Sequence, residues 1–362
     1  MRKVLIIAER VYPDTGPRSH RVMSLAEGLT RFDFDVTVAA YLDPSYNYTI
    51  YSSKFINLGT SLFGIKRSDG RRLFKKFNLT LSKLLSRIIE YPNIEILRHA
   101  YPLLGEQKWD ILISVARPYT VHWAVLYYLR QNDKSFIWLS DCGDPYPSST
   151  SPWYLKYILE IWYKTTDKIL VPTANSLAAY NEDFHNKFCL VPQGVNIADL
   201  RPLGPCELSA KIVRFGYCGT IYEDIRNPEN FLSFVDNLDL EYEFHLWTKS
   251  QNYFIQVLPN SRSKIVFNPI VSRKELIEKL SNMHFNLNFE NNNVVQTPSK
   301  LIDYYLSGRP ILNVKSSLSD SDKKNFLKLY YESSSIEKNL FENELLQFDI
   351  DKIIKDLCQR VF

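Results

Sequence analysis

Short apolar runs separated by helix-period stretches constrain this chain more than any other feature. The first run, KVLIIAE (Lys3–Glu9), has five consecutive apolar residues before Glu9. That is the length of a buried strand and too short for the apolar core of a signal peptide or for a membrane span. A helical stretch follows, with Val22, Leu25, Ala26 and Leu29 on one face,. DVTVAAYL, DILISVA (Asp110–Ala116), SFIWLSD, DKILVPT and KFCLVPQG continue as strands, with a helix near Val121–Arg130. Strands apolar on both faces and alternating with helices predict a parallel sheet covered on both sides.

The rhythm breaks at 193–211, QGVNIADLRPLGPCELSAK, which is rich in Pro and Gly and poor in apolar periods. It then restarts with IVRFGYCG, YEFHLWT, SKIVFNP, HFNLNFE and RPILNV, interleaved with NPENFLSFVDNL and SRKELIEKLSNM as helices. At 362 residues the chain is long for a single core,. The expected division is a first α/β domain over 1–192, a linker over 193–211, a second α/β domain over 212–345, and a C-terminal helix over 346–362 that packs back on the first. No run of about 18 apolar residues occurs,. The five cysteines are scattered without a CxxC pair, which speaks against zinc and a disulfide framework and for a reducing, cytoplasmic setting. A net charge of +4 does not by itself indicate nucleic acid,.

Neither half carries GxGxxG after its first strand, and GxxxxGK followed by Ser or Thr is absent. Dinucleotide dehydrogenases and P-loop NTPases are therefore disfavoured. Asp320–Asp322 (DSD) resembles a metal–nucleotide motif but sits where a helix cap is expected,. The stretch TPSKLIDYYLSGRPIL (Thr297–Leu312) is the strongest local signal. Thr297 suits a helix N-cap and Pro298 the first turn, leaving the amides near Ser299 and Lys300 for an anion. Asp303 lies one turn on, roughly 4–5 Å along the axis, on the face of Lys300. Two readings fit equally: a diphosphate with a ribose beside it, or a capped helix with an i,i+3 ion pair. His122 reads as packing. Gly64–Arg98 holds nine Lys/Arg and three acids with Leu73, Phe77, Leu81, Leu84 and Ile88 at helical spacing. It reads either as a core-facing helix with a solvated basic face or as one meeting anionic lipid.

PSKLIDYYLSGRPIL resembles a signature of the GT-B glycosyltransferases, particularly the retaining family 4 type. DTGPR (Asp14–Arg18), DILISVARP, FIWLSDCGDPY, DKILVPT with LVPQGVNIADLRP, FGYCGTIYEDIRNPENFL and IVFNPIVSRKEL resemble further pieces of that family in the same order. The resemblance implies an α/β, GT-B fold of two Rossmann-like domains facing across a cleft. It implies sugar transfer from a UDP- or GDP-linked donor to a saccharide or lipid-linked acceptor in surface polysaccharide synthesis, with retention, no metal and no cofactor. Lys300, Ser299, Thr297 and the backbone near Gly219 and Thr220 would hold the diphosphate, and Asp303 the ribose. Arg226 would be a second phosphate clamp, because the position after Gly219 is Thr220 where the family usually has a base. Glu290 would reach the donor sugar with help from Asn291–Asn293, since Val295 stands where a paired acid is usual. In the first domain Gly16 and Arg18 would approach phosphate or sugar, and Asp141 or Asp144 would orient the acceptor hydroxyl or take its proton. Asn268–Val271 would meet the base. The protein would act in the cytoplasm, with 64–98 at the inner membrane face. A nucleotide-sugar 2-epimerase and a nucleotide-sugar-binding partner without turnover are the alternatives.

Overall fold

A computed structural model describes residues 1–14, 16–59, 85, 90, 93–143, 154–202, 212–223, 226–291, 300–333 and 341–361. Backbone contacts divide the chain into two compact units, Met1–Gly194 with Ile350–Phe362, and Val195–Asp349.

In the first unit the strands are β1 (Lys3–Ile7), β2 (Asp35–Ala40), β3 (Lys54–Asn57), β4 (Ile111–Ala116), β5 (Ile137–Cys142), β6 (Lys168–Val171) and β7 (Phe188–Leu190). All pair in parallel, in the order β3-β2-β1-β4-β5-β6-β7. Its described helices of ten residues or more are α1 (Pro17–Arg31), α2 (Ile96–Glu106), α3 (Thr120–Leu129), α4 (Leu155–Thr165) and a C-terminal helix, Ile350–Val361. Val4, Leu5, Ile6 and Ile7 have no exposure, as a central parallel strand requires. One face of the sheet is filled by Trp109, Trp138 and Trp162. Their indole N–H groups donate to Leu103 O (2.8 Å), Ser114 Oγ (2.8 Å) and Ser140 Oγ (2.9 Å), so each large apolar surface is buried without an orphan donor. The other face is covered by α1 and Ile350–Val361. Those two helices meet at Gly28, where a Cβ would fall 2.7 Å from Ile354 Cγ1 and 2.8 Å from Ile350 Cγ1.

His122 lies in the first turn of α3 with no exposure. Its Nδ1 is 2.7 Å from Ser114 Oγ, its Nε2 is 3.4 Å from Cys142 Sγ, and its ring stacks on Trp162. Burial pushes the imidazole down to about 3. The folded chain therefore refuses a proton that the unfolded chain accepts below the ordinary value of 6.5. Stability from this group is complete above pH 6.5 and declines as pH falls towards 3, by up to about 1.4 kcal/mol per pH unit. Urea midpoints between pH 7 and 4 should show this acid slope, and His122→Phe should flatten it. An equal slope in the variant would refute the assignment.

The second unit has β8 (Val213–Cys218), β9 (Tyr242–Trp247), β10 (Ile265–Phe267), β11 (Phe285–Phe289) and β12 (Ile311–Val314), all parallel, in the order β10-β9-β8-β11-β12. Around it lie α5 (Ile197–Leu200), α6 (Glu229–Asp236), α7 (Gln251–Val257), α8 (Arg273–Ser281), α9 (Leu301–Ser307), α10 (Asp320–Tyr331) and α11 (Glu342–Leu346), so Ile350–Val361 is α12. Phe215 stacks on Phe285 at 5.1 Å and meets Phe326 edge-on, and Tyr217 lies 4.5 Å from Phe289. Asp322 and Ser319 form a capping box at the start of α10, which accounts for the DSD stretch without a metal role.

Both sheets are doubly wound. The chain leaves β1 for β2 on one side and returns to β4 on the other, and likewise leaves β8 for β9 and returns to β11. Ligands of open parallel sheets sit at such a reversal, beyond the carboxyl ends of the strands. In the second unit that position is the mouth between Cys218 and Phe289. Among the described residues no helix is long and apolar enough to cross a membrane.

Candidate anion site of the second unit

Four of the residues expected to bind the donor converge on the carboxyl end of β8. The turn after it opens at Gly219, with φ +144°, held by a bond from its N–H to Trp247 O at 3.1 Å. This φ is unfavourable for any residue with a Cβ. A Cβ there would also come within 3.0 Å of Tyr217 Oη and 3.8 Å of Arg226 Nη1. Gly219→Ala should cost about 1–3 kcal/mol of stability and weaken anion binding, both measurable by thermal melts with and without inorganic diphosphate. Unchanged melts would show that the turn is not constrained.

Arg226 is locked in place. Its Nε and Nη2 donate to Asn291 Oδ1 at 3.1 and 2.7 Å, and its Nη1 to Tyr217 Oη at 3.3 Å. Asn291, just after β11, is thus a partner of this arginine. Glu290 stays at the strand end, its amide bonded to Val314 O at 2.8 Å.

Asp303 is the buried centre of a second cluster. Its side chain is 2% exposed, with Arg273 Nε 2.6 Å from Oδ1 and Lys300 Nζ 3.4 Å from Oδ2. Burial pushes the carboxyl up, and the charges and hydrogen bonds of Arg273 and Lys300 more than reverse this, holding it below the ordinary carboxylate value. Next along α9, Tyr304 Oη accepts from Cys218 N at 3.0 Å and donates to Cys218 O at 3.3 Å. This ties α9 to the mouth of β8. Burial pushes the Cys218 thiol up to about 11, while Lys300, Asp303 and Arg226 all lie within electrostatic reach of it. Asp303 therefore pairs with two cations, Arg273 and Lys300, and Lys300 and Arg226 both lie near the end of β8. Such a positive, partly sheltered mouth binds an anion with several oxygens.

The geometry corrects parts of the sequence reading. Asp303, expected beside the ribose, is buried and anchors two cations. The described helix begins at Leu301, with Lys300 as its cap residue and no side-chain cap bond. Gly308 closes the helix in the left-handed conformation, φ 68°, the usual C-terminal role of glycine. Thr220 is half-buried and carries no charge. Thr297, Ser299 and Asp144 lie outside the described residues, as does most of 64–98.

In the first unit, Asp141 is not a catalytic base. It has no exposure and takes Arg21 Nε at 2.8 and 2.6 Å, with Arg21 Nη2 also on Oδ1. Arg21 Nη1 continues to Val191 O and Pro192 O at 2.9 and 3.1 Å. A sealed carboxylate locked to a guanidinium cannot take a proton from an acceptor. The Gly16 amide is not open to phosphate either. It donates to Asp14 Oδ1 at 2.7 Å, and Ser19 Oγ lies 3.3 Å from the same atom. Burial raises the Asp14 carboxyl, and the bonds from Gly16 and Ser19 with the charge of Arg10 hold it below its ordinary value. An anion approaching Gly16 would meet this charge. Arg18 projects from the exposed face of α1.

Sequence reasoning missed Arg273 and Arg21. Each pairs with an acid far along the chain, and although Arg273 lies within IVFNPIVSRKEL, that piece gave the arginine itself no role.

No family model matches this chain, and no curated protein matches it in sequence. Solved structures do. It superposes on sucrose-phosphate synthase from Thermosynechococcus elongatus with a TM-score of 0.66 at 13% identity, over 99% of this chain and 98% of that one. The apo lipopolysaccharide outer core galactosyltransferase WaaB gives 0.62 at 12% identity, over 99% of both chains. The catalytic domain of starch synthase IV from Arabidopsis thaliana, bound to ADP and acarbose, gives 0.63 at 10% identity, over 98% of this chain and 95% of that one. At these identities the likeness is one of fold, and the fold is GT-B: two doubly wound α/β units with parallel sheets of seven and five strands.

Proposed function

We propose that this chain is a glycosyltransferase that moves a sugar from a nucleotide-sugar donor to a saccharide or lipid-linked saccharide acceptor. The observation that carries the reading is that Arg226 and Lys300 both lie near the end of β8, at the topological reversal of the second unit, with Asp303 joining Lys300 to Arg273. Breaking a sugar–phosphate bond builds charge on the departing diphosphate. Fixed cations aimed at that charge lower the barrier without reorganising during the reaction. Arg226, pinned by Asn291 and Tyr217, meets that requirement best. The fold is shared with sugar-transferring enzymes, among them the S. aureus protein TarM, whose G117R form was solved in complex with fondaparinux, α-GlcNAc-glycerol and UDP (TM-score 0.61, 10% identity).

The proposed outcome is retention with a UDP- or GDP-linked donor, in surface polysaccharide assembly at the cytoplasmic side. The test is incubation of the full chain with UDP-, GDP- and ADP-linked hexoses, followed by mass spectrometry. Release of nucleoside diphosphate with slow hydrolysis of one donor is the expected result. An epimerised nucleotide sugar would replace this reading with a 2-epimerase, and binding without turnover with a carrier role.

A further inference from the structure

Arg273 has an arrangement that a plain inter-helix ion pair does not need. It occupies the first position of α8, after the N-cap Ser272, whose side chain accepts from Glu275 N. The start of the helix is thus fixed, and the arginine springs from a rigid point. Its side chain is 13% exposed. Only Nε is spent on Asp303, at 2.6 Å. Among the described residues Nη1 and Nη2 donate to nothing, and neither is sealed from solvent. The buried Arg21 of the first unit engages Asp141 with two nitrogens, the frequent bidentate form of such pairs. Arg273 instead spends one donor and keeps the other end of its planar fork available.

Asp303 explains the economy. It is held from below by α9, where Tyr304 anchors the helix to Cys218. Its Oδ1 fixes the direction of Arg273, and its Oδ2 restrains Lys300 from 3.4 Å. A carboxylate beside an anion site costs affinity unless it organises cations, and this one organises two. Arg226 stands close to the same strand end, and its Nη1 lies 3.8 Å from where a Gly219 Cβ would be.

We propose that Arg273 is a substrate-binding residue whose Nη1 and Nη2 take two oxygens of the donor's diphosphate, with Asp303 as the residue that positions it. This rests on the nucleotide-sugar reading above and assigns the phosphate contact within it. Planar bidentate recognition is what arginine does and lysine cannot reproduce.

The experiment is calorimetric titration of the full chain with UDP, GDP and ADP, and with the matching nucleosides. The wild-type chain should bind at least one diphosphate. Arg273→Ala should weaken that diphosphate about 10- to 100-fold, the range for losing hydrogen bonds to a charged group, and leave nucleoside binding unchanged. Arg273→Lys should recover only part of the loss, because the charge returns without the fork. It also keeps a cation on Asp303, so it remains informative if the alanine variant folds poorly. Equal diphosphate affinity in wild type and both variants would overturn the assignment and leave the nucleotide-sugar reading standing. Proportional loss of diphosphate and nucleoside would reduce Arg273 to a structural tie. Binding of none of these nucleotides by the wild type would overturn the nucleotide-sugar reading itself, and this assignment with it.

Discussion

Asp141→Ala should destabilise the first unit by about 3–5 kcal/mol, the cost of leaving a buried charge without its partner. Arg21 is 5% exposed and Asp141 not at all, so water cannot replace the lost carboxylate. The same guanidinium holds the carbonyls of Val191 and Pro192, and a wandering Arg21 would loosen the end of β7 as well. Urea unfolding read by far-ultraviolet circular dichroism would measure the loss. The paired change Arg21→Met with Asp141→Leu should recover much of it, because a buried ion pair can be exchanged for apolar packing at little cost. A single variant as stable as the parent would contradict this account of the first unit.

Arg226→Ala should lower turnover of the nucleotide-sugar donor about 10²–10³-fold, the range for removing one fixed charge-stabilising group. The proposal assigns Arg226 to the departing diphosphate, so the loss should fall mainly on kcat. Asn291→Ala leaves the guanidinium in place but removes the acceptor of its Nε and Nη2. Its effect should be smaller, since a loosened group still carries its charge. Steady-state kinetics on both variants would decide. Arg226→Ala with unchanged kcat, or a larger loss for Asn291→Ala, would remove Arg226 from the chemistry.

The architecture was legible because its signals are local. KVLIIAE, DILISVA and SFIWLSD each bury both faces of a strand, and a both-sides-apolar strand has few homes outside a parallel sheet. The capping of α10 by Ser319 and Asp322 was legible for the same reason, since a cap and its partner lie three residues apart. Lys300 and Asp303 were also readable as a pair on one helical turn. What their carboxylate does was not. Its stronger partner, Arg273, is thirty residues away and reaches it only through the packing of α8 on α9. Asp141 looked catalytic because it ends a strand, where ligand-binding residues gather. Its partner Arg21 lies on α1, 120 residues earlier, and nothing in the local pattern announces the contact. Gly16 was misread on a shorter scale. Asp14, two residues before it, turns its own carboxylate onto the Gly16 amide, the turn-forming habit of aspartate, and so occupies the site a phosphate would need.

The most direct test of the central claim is hydrogen–deuterium exchange of the full chain with and without saturating UDP or GDP. The nucleotide-diphosphate site proposed for the second unit predicts slowed exchange in peptides covering Gly216–Arg226, Ser272–Leu276 and Lys300–Tyr304, the segments that carry Gly219, Arg226, Arg273, Lys300 and Asp303. Protection confined to other segments, or no protection with any nucleotide, would contradict it.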